Sequence, residues 1–342
     1  MINSYLKYTD KGIFCIPGKF YLDPWKPVDR AIISHGHADH ARPGMKHYLC
    51  HHFTTPVIQH RISSDISVVS KAYGEVTDIH GVKVSLHPAG HLIGSSQIRL
   101  EYKGEVAVFS GDYKVAPDGL SAPFEPVQCH TFITESTFGL PIYRWEPQEV
   151  LFNKIKNWVS QNQAKGYTSI FLGYSLGKAQ RIMKLVEGLG QVYVHTAIEN
   201  VNKAIESAGF PLPDRQIMNI ENKTDMEGKI VVAPPALFGS KMIKKIPHGR
   251  TAMCSGWMQV RGSRRWRAVD AGFAVSDHAD WDGLLGAIKA TEASKVFVTH
   301  GYQATLAKYL NEKGYEAYEL LTGYGEKDEA GVDTENEENK PV

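Results

Sequence analysis

Three histidines and one aspartate lie within six positions, 35 to 40, in the segment SHGHADH that follows an apolar run. His35 and His37 are two residues apart, so their side chains point to the same side of an extended backbone. Asp39 and His40 follow where a helix is predicted to start, so they face a neighbouring point. Imidazoles and carboxylates suit zinc, manganese or iron, and the lack of thiolates argues against a closed structural zinc site. The segment therefore predicts part of a metal site.

Four further loops carry residues of the same ligand types: His91 in GHLIGSS, Asp112 in FSGDY, His278 in SDHAD and His300 in VTHGY. In four of the five loops an apolar, strand-like run ends shortly before the polar residue, as expected when a sheet presents loops along one edge. A lone loop histidine is more often a surface or core residue than a ligand, but five such loops favour a site. Two metal ions about 3.5–4 Å apart, bridged by one carboxylate and a water, form a hydrolytic or phosphoryl-transfer site.

The elements that must position these loops change in character near residue 146. The first 140 residues contain short strand-like runs, among them KVSLHPA, SQIRLEY, EVAVFSGD and TFITEST. From EPQEVLFNKIKNWVSQNQAKG onward, helical patterns alternate with the apolar runs TSIFL, QVYV, KIVVAPP and RTAMCSGW, which indicates a parallel α/β layer. After about residue 270 come the histidine loop, the helix WDGLLGAIKAT and the strand KVFVTHG.

Composition is that of an ordinary globular protein, with 42% hydrophobic and 22% charged residues. No run approaches the roughly 18 apolar residues of a membrane span, and no secretory signal is visible. The scattered cysteines predict reduced, buried thiols in a cytoplasmic protein: Cys15, Cys50, Cys129 and Cys254. The last 17 residues carry a net charge of −5 and are predicted to be a disordered tail, 326–342. The rest carries +6, which permits a polyanionic substrate.

Four features resemble the metallo-β-lactamase superfamily: HxHxDH, the later single histidine, SGD and the strand-end THG. Three further segments resemble motifs A, B and C of its β-CASP nuclease branch: ITESTFG, SDHAD and VTHGY. The resemblance extends from about residue 10 to 325. Within that branch the chain is most similar to bacterial exonucleases associated with an ATP-dependent DNA ligase. These are relatives of Artemis and of the mRNA 3′-end cleavage factor.

The resemblance implies an α/β fold with two parts. An αββα metallo-β-lactamase sandwich is expected in residues 1–144 and 269–325. A β-CASP domain, also α/β, is expected as an insertion over 145–268 that forms one wall of the substrate cleft.

The resemblance also implies roles for the ligand-type residues. It implies ligands for two divalent ions, with zinc or manganese favoured and iron also suited: His35, His37 and His91 on one ion, Asp39, His40 and His300 on the other, and Asp112 between them. Glu135 matches the acid of motif A, which orients its neighbours. His278 matches the histidine of motif B, which donates a proton or a hydrogen bond to the leaving oxygen. Asp39, Glu135 and His278 are thus the residues implied in catalysis.

Cations and rings outside the ligand set predict contacts to a nucleic-acid backbone. One such cluster lies in QVRGSRRWR: Arg261, Arg264, Arg265, Trp266 and Arg267. The alternative interpretation of this segment is a solvated basic loop without a binding role. LGYSLGKAQR places Ser175 and Lys178 at a helix N-terminus, which suits phosphate, although the Walker spacing is missing and a plain strand-to-helix turn explains it as well. Trp257 in CSGWM is either a base-stacking platform or a core residue.

The function predicted from this resemblance is a two-metal phosphodiesterase, foremost a single-strand DNA exonuclease of 5′-to-3′ polarity in DNA repair. An RNA-processing nuclease is the alternative, because the histidine at the position of His300 occurs in the RNA-processing branch and in bacterial members alike. A small-molecule metallohydrolase would lack the insertion and the Glu135/His278 pair, and a non-catalytic scaffold would have lost ligands. The expected partners are single-stranded DNA or RNA, with an ATP-dependent DNA ligase and a helicase in functional association, and no membrane.

Overall fold

The chain divides into two compact units in this computed structural model, which describes residues 1–218, 226–260 and 268–321. Unit 1 comprises Met1–Pro117, Ser121–Pro141 and the chain from His278 onward, and unit 2 comprises Asp118–Leu120 and Ile142–Asp277. The predicted acidic tail over 326–342 lies outside the described residues. None of the helices in the described ranges combines the length and the apolarity that a membrane span requires.

Unit 1 contains two mixed sheets. The first has six strands, which neighbour one another in chain order: β1 Leu6–Thr9, β2 Gly12–Cys15, β3 Phe20–Leu22, β4 Arg30–Ile32, β5 His47–His51 and β6 Val68–Lys71. The second has seven strands: β7 Thr77–Ile79, β8 Val82–Pro88, β9 Ser96–Tyr102, β10 Glu105–Phe109, β11 Thr131–Glu135, β18 Lys295–Thr299 and β19 Glu316–Glu319. Its spatial order is β19-β18-β11-β10-β9-β8-β7, and the pairs from β10 to β19 are parallel.

Helices cover the outer faces of the two sheets of unit 1. One apolar cluster joins the facing sides of the sheets, with Leu6 and Ile32 from the first packed among Ile98 and Ile133 from the second. On the other side of the second sheet, residues such as Val296 pack against two helices: α6 Trp281–Ala290 and α7 Gln303–Glu312. The outer face of the first sheet packs against a third helix: α1 Thr55–Arg61. The layers therefore run helix, sheet, sheet, helix, because each sheet has two faces to bury.

Unit 2 is a parallel sheet with an apolar cluster on each face. Its spatial order is β14-β13-β15-β12-β16-β17, from six strands: β12 Thr168–Leu172, β13 Val192–Val194, β14 Gln216–Ile217, β15 Ile230–Ala233, β16 Gly249–Cys254 and β17 Ala271–Phe273. In the described residues of this unit, four α-helices accompany the sheet: α2 Gln148–Gln163, α3 Lys178–Leu185, α4 Thr196–Ser207 and α5 Lys241–Lys244. Every residue of β12 is buried, as expected for a strand covered on both faces.

The longer predicted elements are confirmed, whereas short ones were missed. The helix start predicted at Asp39 and His40 is wrong, because these residues lie in a turn. The runs that predicted strands occur in β8 to β13, β15, β16 and β18, and those that predicted helices in α2, α3, α4 and α6. The strands β1 to β7, β14, β17 and β19 and the helices α1, α5 and α7 were not individually predicted. Several of these strands have only three or four residues, too few to show a periodicity. The four cysteines are free and buried, as predicted.

Candidate metal centre

Strand ends in unit 1 carry most of the predicted ligands. Asp112 follows β10, Glu135 ends β11 and His300 follows β18, and these three strands are adjacent and parallel. Parallel strands end at the same edge of a sheet, so their following residues lie side by side. His35 lies three residues after β4 of the other sheet, and His91 lies in the connection from β8 to β9.

Three imidazoles and one carboxylate form the first group of donors. The Nδ1 atom of His37 lies 3.2 Å from Nε2 of His35 and 3.1 Å from Nε2 of His91. The Oδ2 atom of Asp112 lies 3.5 Å from Nε2 of His35 and 3.9 Å from Nε2 of His91. The four donor atoms lie within 4.8 Å of one another, so a single cation could contact all four.

A second group shares the same aspartate. His40, Asp112 and His300 also place donor atoms within 4.8 Å of one another, with Nε2 of His40 3.4 Å from Oδ2 of Asp112. The rings of His40 and His300 stack at 5.0 Å. Asp39, predicted as a further ligand here, has a half-exposed side chain whose Oδ2 lies 3.6 Å from Nε2 of His40. Asp112 therefore lies where the two groups meet.

The protonation states of these buried groups fit a divalent cation. Burial lowers the pKa of His35 well below its ordinary value, and nearby His40 acts in the same direction, so this imidazole is the neutral form that ligates metals. Burial alone would lower the pKa of His40, but the carboxylates of Asp112 and Asp39 raise it well above its ordinary value. A metal ion would take the place of that proton. Among the described residues, the buried Oδ1 of Asp112 has no hydrogen-bond partner.

Asp23 belongs to the site and was missed in the sequence. Its Oδ2 accepts a hydrogen bond of 2.7 Å from Nδ1 of His40, and its Oδ1 accepts one of 2.7 Å from the backbone N–H of Ser34. Both Asp23 and His40 are fully buried. The bond to Nδ1 leaves Nε2 of His40 facing Asp112, which is how an outer carboxylate orients a metal-binding histidine. The available signal was FYLD, an aspartate directly after a strand.

Glu135, which is buried, pairs with the partly exposed His278 beside these groups. Nδ1 of His278 donates to both carboxylate oxygens of Glu135, at 3.0 and 2.9 Å. The same carboxylate accepts the backbone N–H of Tyr113 at 2.7 Å, which ties it to the residue after Asp112. The side chain of Glu135 is 0% exposed and that of His278 is 18% exposed, so only the histidine can reach a substrate. Asp112, Glu135 and His278 also place donor atoms within 4.8 Å of one another.

His300 lies in a strained turn. Its φ of +52° is in the left-handed region, which costs a residue with a side chain about 1–3 kcal/mol. The next residue, Gly301, approaches so closely that an added Cβ would lie 2.3 Å from the carbonyl oxygen of Ser136. The hydroxyl of Ser136 donates to the carbonyls of Thr299 and His300. The loops of Glu135 and His300 are thus locked together, and the strain is retained at the proposed ligand.

The predicted substrate-binding residues of unit 2 are largely internal. Ser175 is buried, and its carbonyl accepts a hydrogen bond from the side chain of Gln180. Lys178 is also buried and pairs with Asp277 at 3.0 Å, so the predicted phosphate contact is not supported by its position. Trp257 is half-buried and packs edge-on against Tyr143 at 5.6 Å. The predicted cluster of Arg261, Arg264, Arg265, Trp266 and Arg267 lies outside the described residues.

Several named proteins are similar to this chain. A probable DNA ligase of Opitutus terrae is 30% identical over 313 residues, which cover 90% of this chain and 30% of the ligase. The endoribonuclease YSH1 of Candida glabrata is 23% identical over 314 residues, covering 71% of this chain and 40% of YSH1. The transcription termination factor FttA of Thermococcus kodakarensis is 29% identical over 206 residues, covering 48% of this chain and 31% of FttA. The chain thus spans less than half the length of each relative.

A solved structure of a protein of unknown function from Enterococcus faecalis V583 has a similar fold. Its TM-score is 0.61 at 12% identity, over 87% of this chain and 80% of that chain. No family model matches the chain. The named relatives, together with the motif residues that converge in unit 1, show that the chain is related to the β-CASP family of metallo-β-lactamase-like nucleases.

Proposed function

We propose that this protein is a two-metal hydrolase of phosphodiester bonds in nucleic acid. The observation that carries the proposal is Asp112, which is shared by two donor groups and lies next to the Glu135–His278 pair. In this proposal unit 1 is the metallo-β-lactamase domain, predicted over 1–144 and 269–325, and unit 2 is the β-CASP domain, predicted over 145–268.

The proposed ligands follow the donor groups. One ion would be held by His35, His37 and His91, the second by His40, His300 and Asp39, with Asp112 in contact with both. Such ions, when bound, lower the pKa of a water and stabilise charge on phosphate oxygens. Asp23 holds the ring of His40 in the orientation that presents Nε2. Imidazole and carboxylate ligands suit zinc, manganese and iron.

His278 is the proposed general acid. Its Nδ1 is bonded to Glu135, so the proton available for a leaving oxygen is the one on Nε2. The buried carboxylate of Glu135 stabilises the protonated ring and fixes its plane, because it accepts from Nδ1 with both oxygens. An alkoxide leaves poorly at neutral pH, and a positioned acid is worth about 10²–10⁴-fold in rate.

Single-stranded DNA, cut exonucleolytically from the 5′ end in DNA repair, is the proposed substrate. The match to a segment of a probable DNA ligase supports a functional association with ATP-dependent ligation. A helicase as a further partner and a location in the cytoplasm are proposed on the resemblance of the sequence motifs alone. RNA is the second candidate, because two of the relatives are named as an endoribonuclease and a transcription termination factor. The Glu135–His278 pair argues against a small-molecule metallohydrolase.

Two measurements test the proposal. Elemental analysis of protein purified without chelator should find about two divalent ions per chain, and one ion or none under metal excess would refute the two-metal site. Metal-dependent assays on DNA and RNA strands labelled at either end should release mononucleotides from the 5′ end of single-stranded DNA. Cleavage of RNA alone would select the second candidate, and no cleavage of either polymer would refute a nuclease.

A further inference from the structure

Two buried cations of helix α3 hold the last three residues of unit 2. Nζ of Lys178 donates to the carbonyl of Val275 at 3.2 Å and lies 3.0 Å from Oδ2 of Asp277. Nη1 of Arg181 donates to the carbonyl of Ser276 and lies 3.5 Å from Oδ1 of Asp277. All five residues belong to unit 2, and the two cations, Lys178 and Arg181, are here called the α3 clamp. Two side chains therefore bind three consecutive residues.

The burial of the clamp separates it from an ordinary surface ion pair. The side chains of Lys178, Arg181 and Asp277 are 8%, 4% and 5% exposed. Lys184 on the same helix is 39% exposed and pairs with the exposed Glu187, an interaction of little energetic value. Buried charges are costly unless they are paired and hydrogen-bonded in a good geometry. The clamp therefore favours one position of the chain over 275–277.

A second helix supports the clamp. Nη2 of Arg181 donates to the side-chain oxygen of Gln148 in α2 at 2.9 Å. The guanidinium is planar and its donors have a fixed geometry, so this bond restricts the direction of Nη1 toward Ser276. Lys178 and Arg181 are one turn apart on α3, and their head groups reach the same segment.

The residue that follows the clamped segment is His278. On its other side, the backbone N–H of Ala279 donates to the carbonyl of Tyr113 at 2.6 Å, and the side chain of Asp280 caps α6. The chain is thus anchored immediately before and immediately after this histidine. Catalytic side chains need to be held within about 0.5 Å of their working positions.

We propose that Lys178 and Arg181 are positioning residues for His278: the α3 clamp fixes the segment 275–277 from which the chain continues to the general acid. This inference rests on the proposed function, since it assigns His278 a role in catalysis. It also assigns Lys178 a role inside the protein in place of the phosphate contact predicted from its sequence. Neither cation touches the substrate.

The first test compares Lys178→Met and Arg181→Gln with the matched surface variant Lys184→Met. The clamp variants should lower kcat on a single-stranded oligonucleotide about 10- to 100-fold with KM unchanged, because a small misplacement of a catalytic group has effects of this size. They should lose much less on a nitrophenyl phosphodiester, whose leaving group needs no proton. In a His278→Ala background they should cause no further loss. Lys184→Met should stay within about twofold of wild type on both substrates.

A second readout does not depend on activity. Amide hydrogen exchange over residues 275–280 should be faster in both clamp variants, while β12 and β16 keep their protection. The conservative variant Lys178→Arg keeps the charge and should restore protection, which covers the case in which Lys178→Met does not fold. If wild type cleaves no nucleic acid, the proposed function fails, and the exchange data still decide whether the clamp holds the segment.

Two outcomes would overturn the proposal that the α3 clamp positions His278. One is unchanged exchange over 275–280 in variants that have lost the cations. The other is an equal loss on both substrates together with lost protection of β12, because the cations would then only hold unit 2 together.

Discussion

Asp112 in unit 1 and Asp277 in unit 2 are both buried aspartates that follow a strand, but their partners differ. Asp112 lies among the imidazoles of His35, His91 and His40, at 3.4–3.9 Å, and its other oxygen has no hydrogen-bond partner in the described part of the chain. Asp277 has a basic side chain at each oxygen, Arg181 on one and Lys178 on the other.

The difference shows that partner chemistry decides what a buried carboxylate can do. Imidazoles can lose a proton and become ligands, so the surroundings of Asp112 can exchange protons for a metal ion. Arginine stays charged in proteins and has no acceptor atom, and a paired ammonium has none either, so the surroundings of Asp277 repel a metal ion. Strand-end position alone does not distinguish the two sites.

Removal of each carboxylate in turn tests whether the two aspartates differ in function. Asp112→Ala should abolish detectable metal-dependent cleavage, a loss of at least about 10³-fold, because ions in such sites supply several kcal/mol of transition-state stabilisation. The thermal transition of the metal-free protein should survive. The matched variant Asp277→Asn should keep its full metal content by elemental analysis. If Asp112→Ala stays within a factor of a few of wild type, Asp112 is not the shared ligand.

Replacement of His278 distinguishes a general acid from a metal ligand. His278→Ala should keep its metal content and its affinity for single strands but lose about 10²-fold or more in turnover of an oligonucleotide. Turnover of a nitrophenyl phosphodiester should fall much less. Loss of a metal ion in the variant would make His278 a ligand, and equal loss on both substrates with metals intact would make it a group that only shapes the site.

Asp23 acts on the proposed ligand set through its hydrogen bond to His40. Asp23→Asn should weaken metal binding about 10- to 100-fold, because the amide holds Nδ1 of His40 less well than the carboxylate. Metal titration followed by calorimetry measures the change. The control is Asp29→Asn, which changes an exposed aspartate that also precedes β4 in the chain. This variant should bind metal as wild type does. Equal affinities in both variants would remove Asp23 from the site.

The smallest expected effect concerns an ion pair with no role in either site. Arg215 pairs with Glu199 at 2.8 Å and Glu206 at 2.6 Å and is largely buried. Arg215→Met should lower the free energy of unfolding of unit 2 by about 1.5 kcal/mol, as hydrogen bonds to charged groups contribute at this level. Hydrogen exchange of α4 measures it, with the exposed Lys203→Met as control. A change in metal content would contradict the separation of the two regions.

The elements that could be predicted from the sequence are those with a local signal. Runs of β-branched residues such as KVFVT are strands because these side chains fit a pleated, buried surface, and Trp281–Ala290 is a helix because its apolar residues recur at helical spacing. The short strands β1 to β4 gave no such signal, since their stability comes from neighbouring strands. The same limit explains the missed Asp23, whose partner His40 is 17 residues away.

Residue type and strand propensity are local properties, so the candidate ligands and their position after strands could be predicted from the amino-acid sequence. Which of them meet was decided by the tertiary structure. The order β18-β11-β10 brings Asp112, Glu135 and His300 to one edge, although Ser136 and His300, which are hydrogen-bonded, lie 164 residues apart. It also decided that Lys178 faces Asp277 and not solvent, because the direction of a side chain depends on what its helix packs against.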